Sequence, residues 1–174
     1  MEINSYILKP GHEMIPFKTY ADFVNVNDIG KLLEVEKDLD NFYLDGVIEI
    51  KTNDQTLLEL NDWDLVDQLW SYILNIIEEY NINGESEVYF PDSPNKIKIK
   101  RMYNDYLMFS IVTDKERKII INKNEIFGIL LKKAKDFFSS ISVLKDYKDG
   151  SLKEIERVEK IAGDTLEADY NREY

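Results

Sequence analysis

The pattern of apolar positions predicts a long amphipathic helix near the middle of the chain. Between Asn61 and Tyr80 apolar residues recur at steps of three and four, which places them on one side of an α-helix. Asn61 is a suitable N-cap, and Gly84 tolerates the backbone conformation in which helices often end. The predicted helix spans about 62–80. Its apolar side consists of Val66, Leu69, Trp70, Ile73, Ile76, Ile77 and Tyr80.

The same periodicity predicts a second long helix over about 123–145. Asn122 can cap its start, with Glu125 three residues later in the position of a capping box. A thinner apolar pattern predicts a short C-terminal helix over about 151–162, after which residues 164–174 are expected to form a frayed tail. The apolar side of the second helix consists of Phe127, Leu130, Leu131, Ala134, Phe137, Phe138 and Ile141.

Between the two long helices, alternating and β-branched residues predict four strands. They lie at about 87–90, 96–101, 106–112 and 117–121, within a meander over about 86–121. Connections as short as these require antiparallel neighbours. Ile97 and Ile99 fall on one face of the second strand, and Lys96, Lys98 and Lys100 fall on the other. This strand is therefore expected to have one buried face and one solvent-exposed face.

The N-terminal third predicts further strands. One covers residues 2–9, and a hairpin is expected where Asp45-Gly46 separates 42–44 from 47–50, since this dipeptide suits a tight turn. The predicted fold is a single α+β domain over 1–174, in which an antiparallel sheet packs against the two long helices and the short C-terminal helix. The expected core contains Trp70, Ile73, Ile77, Phe109, Ile111, Leu130, Leu131 and Phe138.

Composition narrows the classes of protein to consider. Apolar residues make up 44% of the 174 residues, which is enough for a core, and the chain contains no cysteine. A disulfide framework, thiol catalysis and thiolate metal sites are thereby excluded. The N-terminus has no basic segment followed by an apolar run, and the sequence has no unbroken apolar stretch of about 18 residues. A cytoplasmic protein that does not enter membranes is expected.

The net charge of −12 is concentrated in one third of the chain. Residues 21–80 contain 15 acidic residues and only three basic ones, Lys31, Lys37 and Lys51, whereas the other two thirds are neutral. Such a field repels nucleic acids and anionic membranes and attracts a basic protein partner. The alternative interpretation is an acidic surface that only keeps the protein soluble.

No motif in the sequence indicates catalysis. His12 is the only histidine, and Glu13 beside it indicates a salt-bridged or exposed loop residue. The nucleophile-elbow, phosphate-loop and dinucleotide-binding patterns do not occur, and the Asp38-Leu39-Asp40 segment does not fit the calcium-loop spacing. We therefore predict no catalytic residue, metal ligand or cofactor. A carboxylate-based hydrolase stays open as a less favoured alternative, because carboxylates distant in sequence can meet in space.

One basic segment, Lys96 to Arg101, lies close to Tyr103 and Tyr106 and raises the question of nucleic-acid binding. Phosphate contacts there would have to overcome the net negative charge of the molecule, and no recognition motif accompanies the segment. We interpret these lysines as the solvated face of a strand.

In general character, this small, acidic, cysteine-free α+β chain resembles bacterial immunity proteins that neutralise toxins of polymorphic or contact-dependent systems. The segments closest to motifs are Trp63 to Trp70 and Phe90 to Pro94. The resemblance implies an inhibitor that presents carboxylates to a basic toxin, such as a nuclease, with Trp63 as an aromatic anchor. The predicted partner-binding residues are Glu34, Glu36, Asp38, Asp40, Asp45, Glu49, Asp62, Trp63, Asp64 and Asp67.

A structural or regulatory interaction domain without a toxin partner is the alternative function. The sequence leaves the oligomeric state open.

Overall fold

Two antiparallel sheets and four α-helices make up the part of the chain described by a computed structural model, which covers residues 1–170, with the backbone alone for residues 165–170. The predicted α+β class is confirmed, but the strands form two sheets instead of one. The first sheet has the order β2-β1-β3-β4, with β5 also paired to β3, and the second has the order β6-β7-β8-β9. The strands are β1 (Glu2–Leu8), β2 (Phe23–Asn25), β3 (Asp45–Lys51), β4 (Thr56–Leu58), β5 (Asp64–Leu65), β6 (Glu85–Tyr89), β7 (Lys96–Arg101), β8 (Tyr106–Val112) and β9 (Glu116–Asn122).

The helices are α1 (Ile29–Val35), α2 (Val66–Asn83), α3 (Lys123–Ile141) and α4 (Lys148–Tyr170). The C-terminal helix is longer than the predicted 151–162. The predicted frayed tail, 164–174, overlaps the end of α4, and its residues 171–174 lie outside the described part of the chain. No helix in that part has both the length and the apolar character needed to cross a membrane.

The predicted hairpin turn at Asp45-Gly46 is wrong, because these two residues belong to β3. Gly46 pairs with Ile7 of β1 and with Asp64 of β5. A Cβ atom at position 46 would lie 2.3 Å from the carbonyl oxygen of Tyr6 and 2.7 Å from a methyl group of Val66. The glycine therefore allows two elements to approach β3 closely, and it does not serve to reverse the chain.

The start of α2 also differs from the prediction. Asn61 does not cap this helix: its side-chain oxygen accepts a hydrogen bond of 2.8 Å from the backbone N–H of Lys18. Residues 64–65 form the short strand β5, and the helix begins at Val66, whose N–H donates to the carbonyl oxygen of Leu44. Pairing with β3 thus keeps the preceding residues extended.

The second sheet and the flanking helix ends agree with the sequence patterns. Strands β6 to β9 form the expected antiparallel meander. Gly84 ends α2 with a φ angle of 78°. The Asn122 side chain caps α3 by accepting hydrogen bonds from the N–H groups of Asn124 and Glu125, at 3.0 and 3.3 Å. Helix α3 ends at Ile141, four residues before its predicted end.

A continuous core joins both sheets to α2 and α3. Helix α2 packs on β6 and β7 of the second sheet and on β1 and β3 of the first, while α3 packs on α2 and α4. Trp70 and Phe137 lie with their ring centroids 6.2 Å apart at the centre of this arrangement. All eight residues predicted for the core are buried in it.

Candidate functional site

The structure separates the predicted partner-binding residues into buried and accessible groups. Glu49 and Asp64 are only 4% and 3% exposed. The Glu49 carboxylate lies 2.8 Å from the ammonium group of Lys51 and accepts a hydrogen bond of 2.7 Å from the Tyr20 hydroxyl. Asp64 accepts hydrogen bonds from the backbone N–H groups of Leu65 and Asp92, at 2.8 and 2.9 Å. Both carboxylates therefore serve contacts inside the protein.

Asp62 belongs to an internal ion-pair network around Arg117. The guanidinium group lies 2.6 Å from Glu59 and 3.6 Å from Asp62, and it also donates a hydrogen bond to the carbonyl oxygen of Leu57. This network joins the second sheet to the segment that precedes α2. Burial raises the pKa of Asp62, with Arg117 acting in the opposite direction.

Trp63 is half-buried, and one of its faces is covered. It packs against Leu8, Phe23 and Val47, and the ammonium group of Lys18 lies 4.8 Å from its ring centroid. This cation–π contact leaves less of the indole available to a partner than the sequence suggested.

Acidic residues near the N-terminal end of α2 form a separate group, which we call the acidic face; most of its members are exposed, and Asp45 and Asp67 are half-buried. Burial raises the pKa of Asp45, and its neighbours Glu13, Asp92 and Asp40 raise it further. Burial likewise raises the pKa of Tyr147, with further contributions from Asp67, Asp40, Asp146 and Asp45. Asp38 lines a cleft with Glu13, Asp40 and Asp45. The acidic face comprises Glu13, Asp38, Asp40, Asp45, Asp67, Asp92 and Asp146.

Within the described residues, none of these seven carboxylates has an ion-pair partner. Acidic residues elsewhere commonly do: Glu87 lies within 4 Å of Lys96 and Lys98, and Glu159 lies 2.8 Å from Lys135. Burial is the largest cause that raises the pKa of Asp45 to about 6, followed by its acidic neighbours. Burial also raises the pKa of Asp67 to about 6. A cation bound nearby would lower the pKa values of both carboxyl groups.

Two exposed aromatic residues lie in the middle of the acidic face. Phe42 and Tyr43 are 78% and 59% exposed. Their loop is held by the Asp40 carboxylate, which accepts hydrogen bonds from the backbone N–H groups of both residues, and by a 2.6 Å hydrogen bond from the Tyr147 hydroxyl to the Asp40 carbonyl oxygen. The rings are thus presented on an ordered backbone. Large aromatic side chains in such settings are typical of interface hot spots.

A cleft lies on each side of this aromatic pair. Phe42 lines one of about 350 Å³ between α2 and the N-terminal part of α4, which we call the α2–α4 cleft. Tyr43 lines the other, of about 340 Å³, beside the start of β3. In an adjoining loop, Met14 and Phe17 are 91% and 77% exposed. Acidic clefts next to exposed apolar side chains suit a cationic partner with apolar contacts of its own.

The last two predicted residues, Glu34 and Glu36, have different environments. Glu34 is exposed on α1. The Glu36 carboxylate accepts a hydrogen bond of 2.7 Å from the backbone N–H of Lys145, which ties the turn after α1 to the segment that follows α3. Neither belongs to the acidic face as defined above.

Sequence reasoning missed several residues of this surface. Glu13 and Asp146 lie in parts of the chain with no net charge, so charge counting did not select them. Asp92 lies in the segment 90–94, which also falls outside the acidic third, and the sequence predicts a strand at Phe42 and Tyr43, which lie in a loop instead. The one available signal was Asp40 two residues before Phe42, a spacing at which an aspartate can accept a hydrogen bond from the backbone and form a turn.

The described part of the chain contains no group of three or more His, Cys, Asp or Glu side chains that could hold a metal ion. The Nδ1 atom of His12 lies 2.9 Å from the carboxylate of Asp22, which agrees with the expectation of a salt-bridged loop residue. Hydrogen bonding from the backbone of Thr19 and from His12 lowers the pKa of Asp22 to about 2.

No family model, curated protein or solved structure matches the chain.

Proposed function

We propose that this chain is an immunity-type inhibitor that neutralises a basic toxin by binding it through the acidic face. The observation that carries the proposal is the juxtaposition of two exposed aromatic rings on an ordered loop with seven carboxylates that have no ion-pair partner among the described residues. Carboxylates in this arrangement would occupy the surface with which a nuclease binds phosphates. The proposal assigns the chain no catalytic role and no nucleic-acid ligand, and it places the protein in the cytoplasm.

Phe42 and Tyr43 would supply the apolar centre of the contact, and the surrounding acids would guide the approach. In protein interfaces a few buried aromatic residues often provide most of the binding energy, while charges at the rim mainly affect association. On the acidic face, Phe42 lines a cleft with Asp146, and Tyr43 lines a cleft with Asp38, so each ring has exposed acids beside it.

The test is a survival assay. The reading frame next to the gene of this chain, if its product is toxic, should be expressed in bacteria with and without the chain, and its purified product should be assayed for binding. We expect the chain to restore growth and to form a stable complex with this product. A toxic product that is neither bound nor neutralised would contradict the proposal and favour a structural or regulatory interaction domain.

Matched variants test whether the acidic face carries the effect. One variant neutralises four exposed acids of the face, Glu13→Gln, Asp38→Asn, Asp92→Asn and Asp146→Asn. The control neutralises four exposed acids elsewhere with the same change in charge, Asp54→Asn, Asp105→Asn, Asp136→Asn and Glu156→Gln. Protection should be lost or strongly reduced only in the first variant. Equal loss in both would mean that net charge, and not this surface, is responsible.

A further inference from the structure

One side of α2 carries a row of polar residues that faces α4. Asp67, Ser71, Asn75 and Glu78 are spaced by four, four and three residues and therefore lie along one side of the helix. The guanidinium group of Arg157 on α4 binds the second half of this row. It donates hydrogen bonds to the side chains of Asn75 and Glu78 and, at 3.4 Å, to the carbonyl oxygen of Ser71.

Asp67, at the N-terminal end of the row, has no such cation among the described residues. The carboxylate oxygen Oδ1 of Asp67 is buried and has no hydrogen-bond partner among the described residues. Where α4 approaches Asp67 it contributes Gly150 and Ser151, neither of which carries charge. The α2–α4 cleft opens at this point. The backbone N–H groups of Asp67 and Gln68 interact with this carboxylate, but a buried carboxylate oxygen without a partner is still costly, and a cation beside the carboxylate would offset that cost.

The walls of the cleft favour one kind of cation. Aromatic rings of Phe42, Tyr72 and Tyr147 line it together with Asp67 and Asp146. Glu154 also lines it, but Arg157 already lies 3.4 Å from this carboxylate. A guanidinium group is planar, stacks on aromatic rings and binds carboxylates through two hydrogen bonds, whereas an ammonium group is more strongly hydrated. The volume of about 350 Å³ lies at the lower end of the range for ligand pockets, which suits a single side chain.

We propose that the α2–α4 cleft receives an arginine side chain of the protein partner, whose guanidinium group binds Asp67 and Asp146. The arginine would occupy the first half of the polar row as Arg157 occupies the second. This inference rests on the proposed function for the identity of the partner, but not for the chemistry of the cleft. Phe42 lies at the boundary between the cleft and the exposed aromatic pair, so one partner could engage both.

A model compound tests the cleft without a partner protein. The full isotope-labelled chain should be titrated with N-acetyl-arginine-N-methylamide and, separately, with its uncharged citrulline analogue, near pH 7.5, above the pKa of about 6 to which burial raises Asp67. We expect saturable NMR shifts of the backbone amides of residues 67–72 and 146–154 with the arginine compound. Binding of the citrulline compound should be about tenfold weaker or undetectable. Equal binding of the two, or shifts that map elsewhere, would overturn the inference.

Two variants and a control make the test specific. Asp67→Asn preserves the shape of the side chain and should weaken arginine binding about tenfold. Asp149→Asn removes an exposed acid next to the cleft and should have little effect. Gly150→Arg would place a guanidinium group in the cleft from within the chain, since a Cβ atom at position 150 meets nothing within 4 Å. It should therefore block the compound, while Gly150→Ala should not. Unchanged binding in both Asp67→Asn and Gly150→Arg would refute the inference.

The results also distinguish this inference from the proposed function. If the arginine compound binds the cleft but the chain neutralises no basic toxin, the cleft assignment stands and the inhibitor proposal fails. If the chain neutralises a toxin but the cleft does not bind the compound, the inhibitor proposal stands and the arginine assignment is wrong.

Discussion

The indole N–H of Trp70 on α2 donates a hydrogen bond of 3.0 Å to the hydroxyl oxygen of Ser5 on β1. Both residues are buried, so the bond joins the central helix to the first sheet inside the core. Ser5→Ala would leave the indole N–H without this partner. We expect it to lower the free energy of unfolding by about 1–3 kcal/mol in urea denaturation. The exposed control Ser139→Ala should change it by less than about 0.5 kcal/mol. If both substitutions change the free energy of unfolding equally, the hydrogen bond does not stabilise the fold.

The packing of the two long helices can be tested at Ile73 and Leu130. Both side chains are buried in the same core, Ile73 on α2 and Leu130 on α3. Replacing either by alanine removes three carbon atoms of the side chain and leaves a cavity. The expected loss is about 2–5 kcal/mol in the free energy of unfolding, measured by urea denaturation. A loss below about 0.5 kcal/mol at both positions would show that these helices are not packed as described.

Arg117 is expected to have a mainly structural role. Its guanidinium group is largely buried between Glu59 and Asp62. Arg117→Met keeps much of the side-chain stem but leaves Asp62 without its cation, and should cost about 3 kcal/mol of unfolding free energy. Lys118→Met, on the same strand but exposed, provides the control and should change stability by less than about 0.5 kcal/mol. If the two variants behave alike in thermal and urea unfolding, the network does not stabilise the fold.

Local patterns predicted the elements that depend on their own sequence. The cap at Asn122, the end of α2 at Gly84 and the antiparallel meander follow from residues close together in the chain, and all three are confirmed. Asp45-Gly46 has the same composition as a hairpin turn. Its actual place in β3 depends on the approach of β1 and Val66, which nearby residues do not reveal.

The candidate site was harder to predict because charge counting does not distinguish buried from accessible carboxylates. Asp62 lies in the acidic third of the chain, yet its cation, Arg117, is supplied from 55 positions away in sequence. Conversely, Asp146 comes from a neutral region, and the fold brings it to the same cleft as Asp67. Only tertiary structure determines which acids are left without partners.

Burial of Asp67 should make stability depend on pH. Its pKa in the folded protein is raised from 3.8 to about 6, so the folded state binds its proton more tightly than the unfolded state. Proton binding by Asp67 therefore stabilises the folded state at low pH, and this stabilisation is lost as pH rises from about 4 through about 6. Asp67→Asn avoids this loss. After allowing for solvent screening, it should stabilise the protein by about 1–2 kcal/mol more near pH 7.5 than near pH 4.5.

Urea unfolding at the two pH values measures this difference directly. Asp136→Asn, which changes an exposed acid on α3, is the matched control and should show little pH dependence. The same dependence in both variants would mean that Asp67 is not the buried carboxyl group responsible.

Charge and aromatic residues of the acidic face should affect different steps of binding to a basic partner. Exposed carboxylates attract a cationic protein before contact, so the four-acid variant of the face should reduce the association rate constant, most strongly at low salt. The uncharged Phe42 side chain does not attract a partner before contact. Phe42→Ala should instead raise the dissociation rate constant, because a side chain that is 78% exposed in the free protein can be buried in the complex.

Surface plasmon resonance at several salt concentrations separates these two effects. The four-acid control variant defined above should retain most of the association rate, since its acids lie outside the face. Ile82→Ala is the control for Phe42, because Ile82 is also a large apolar residue and is 81% exposed, but at the far end of α2. If Ile82→Ala accelerates release as much as Phe42→Ala, or if both sets of acids affect association equally, the partner does not bind at the acidic face.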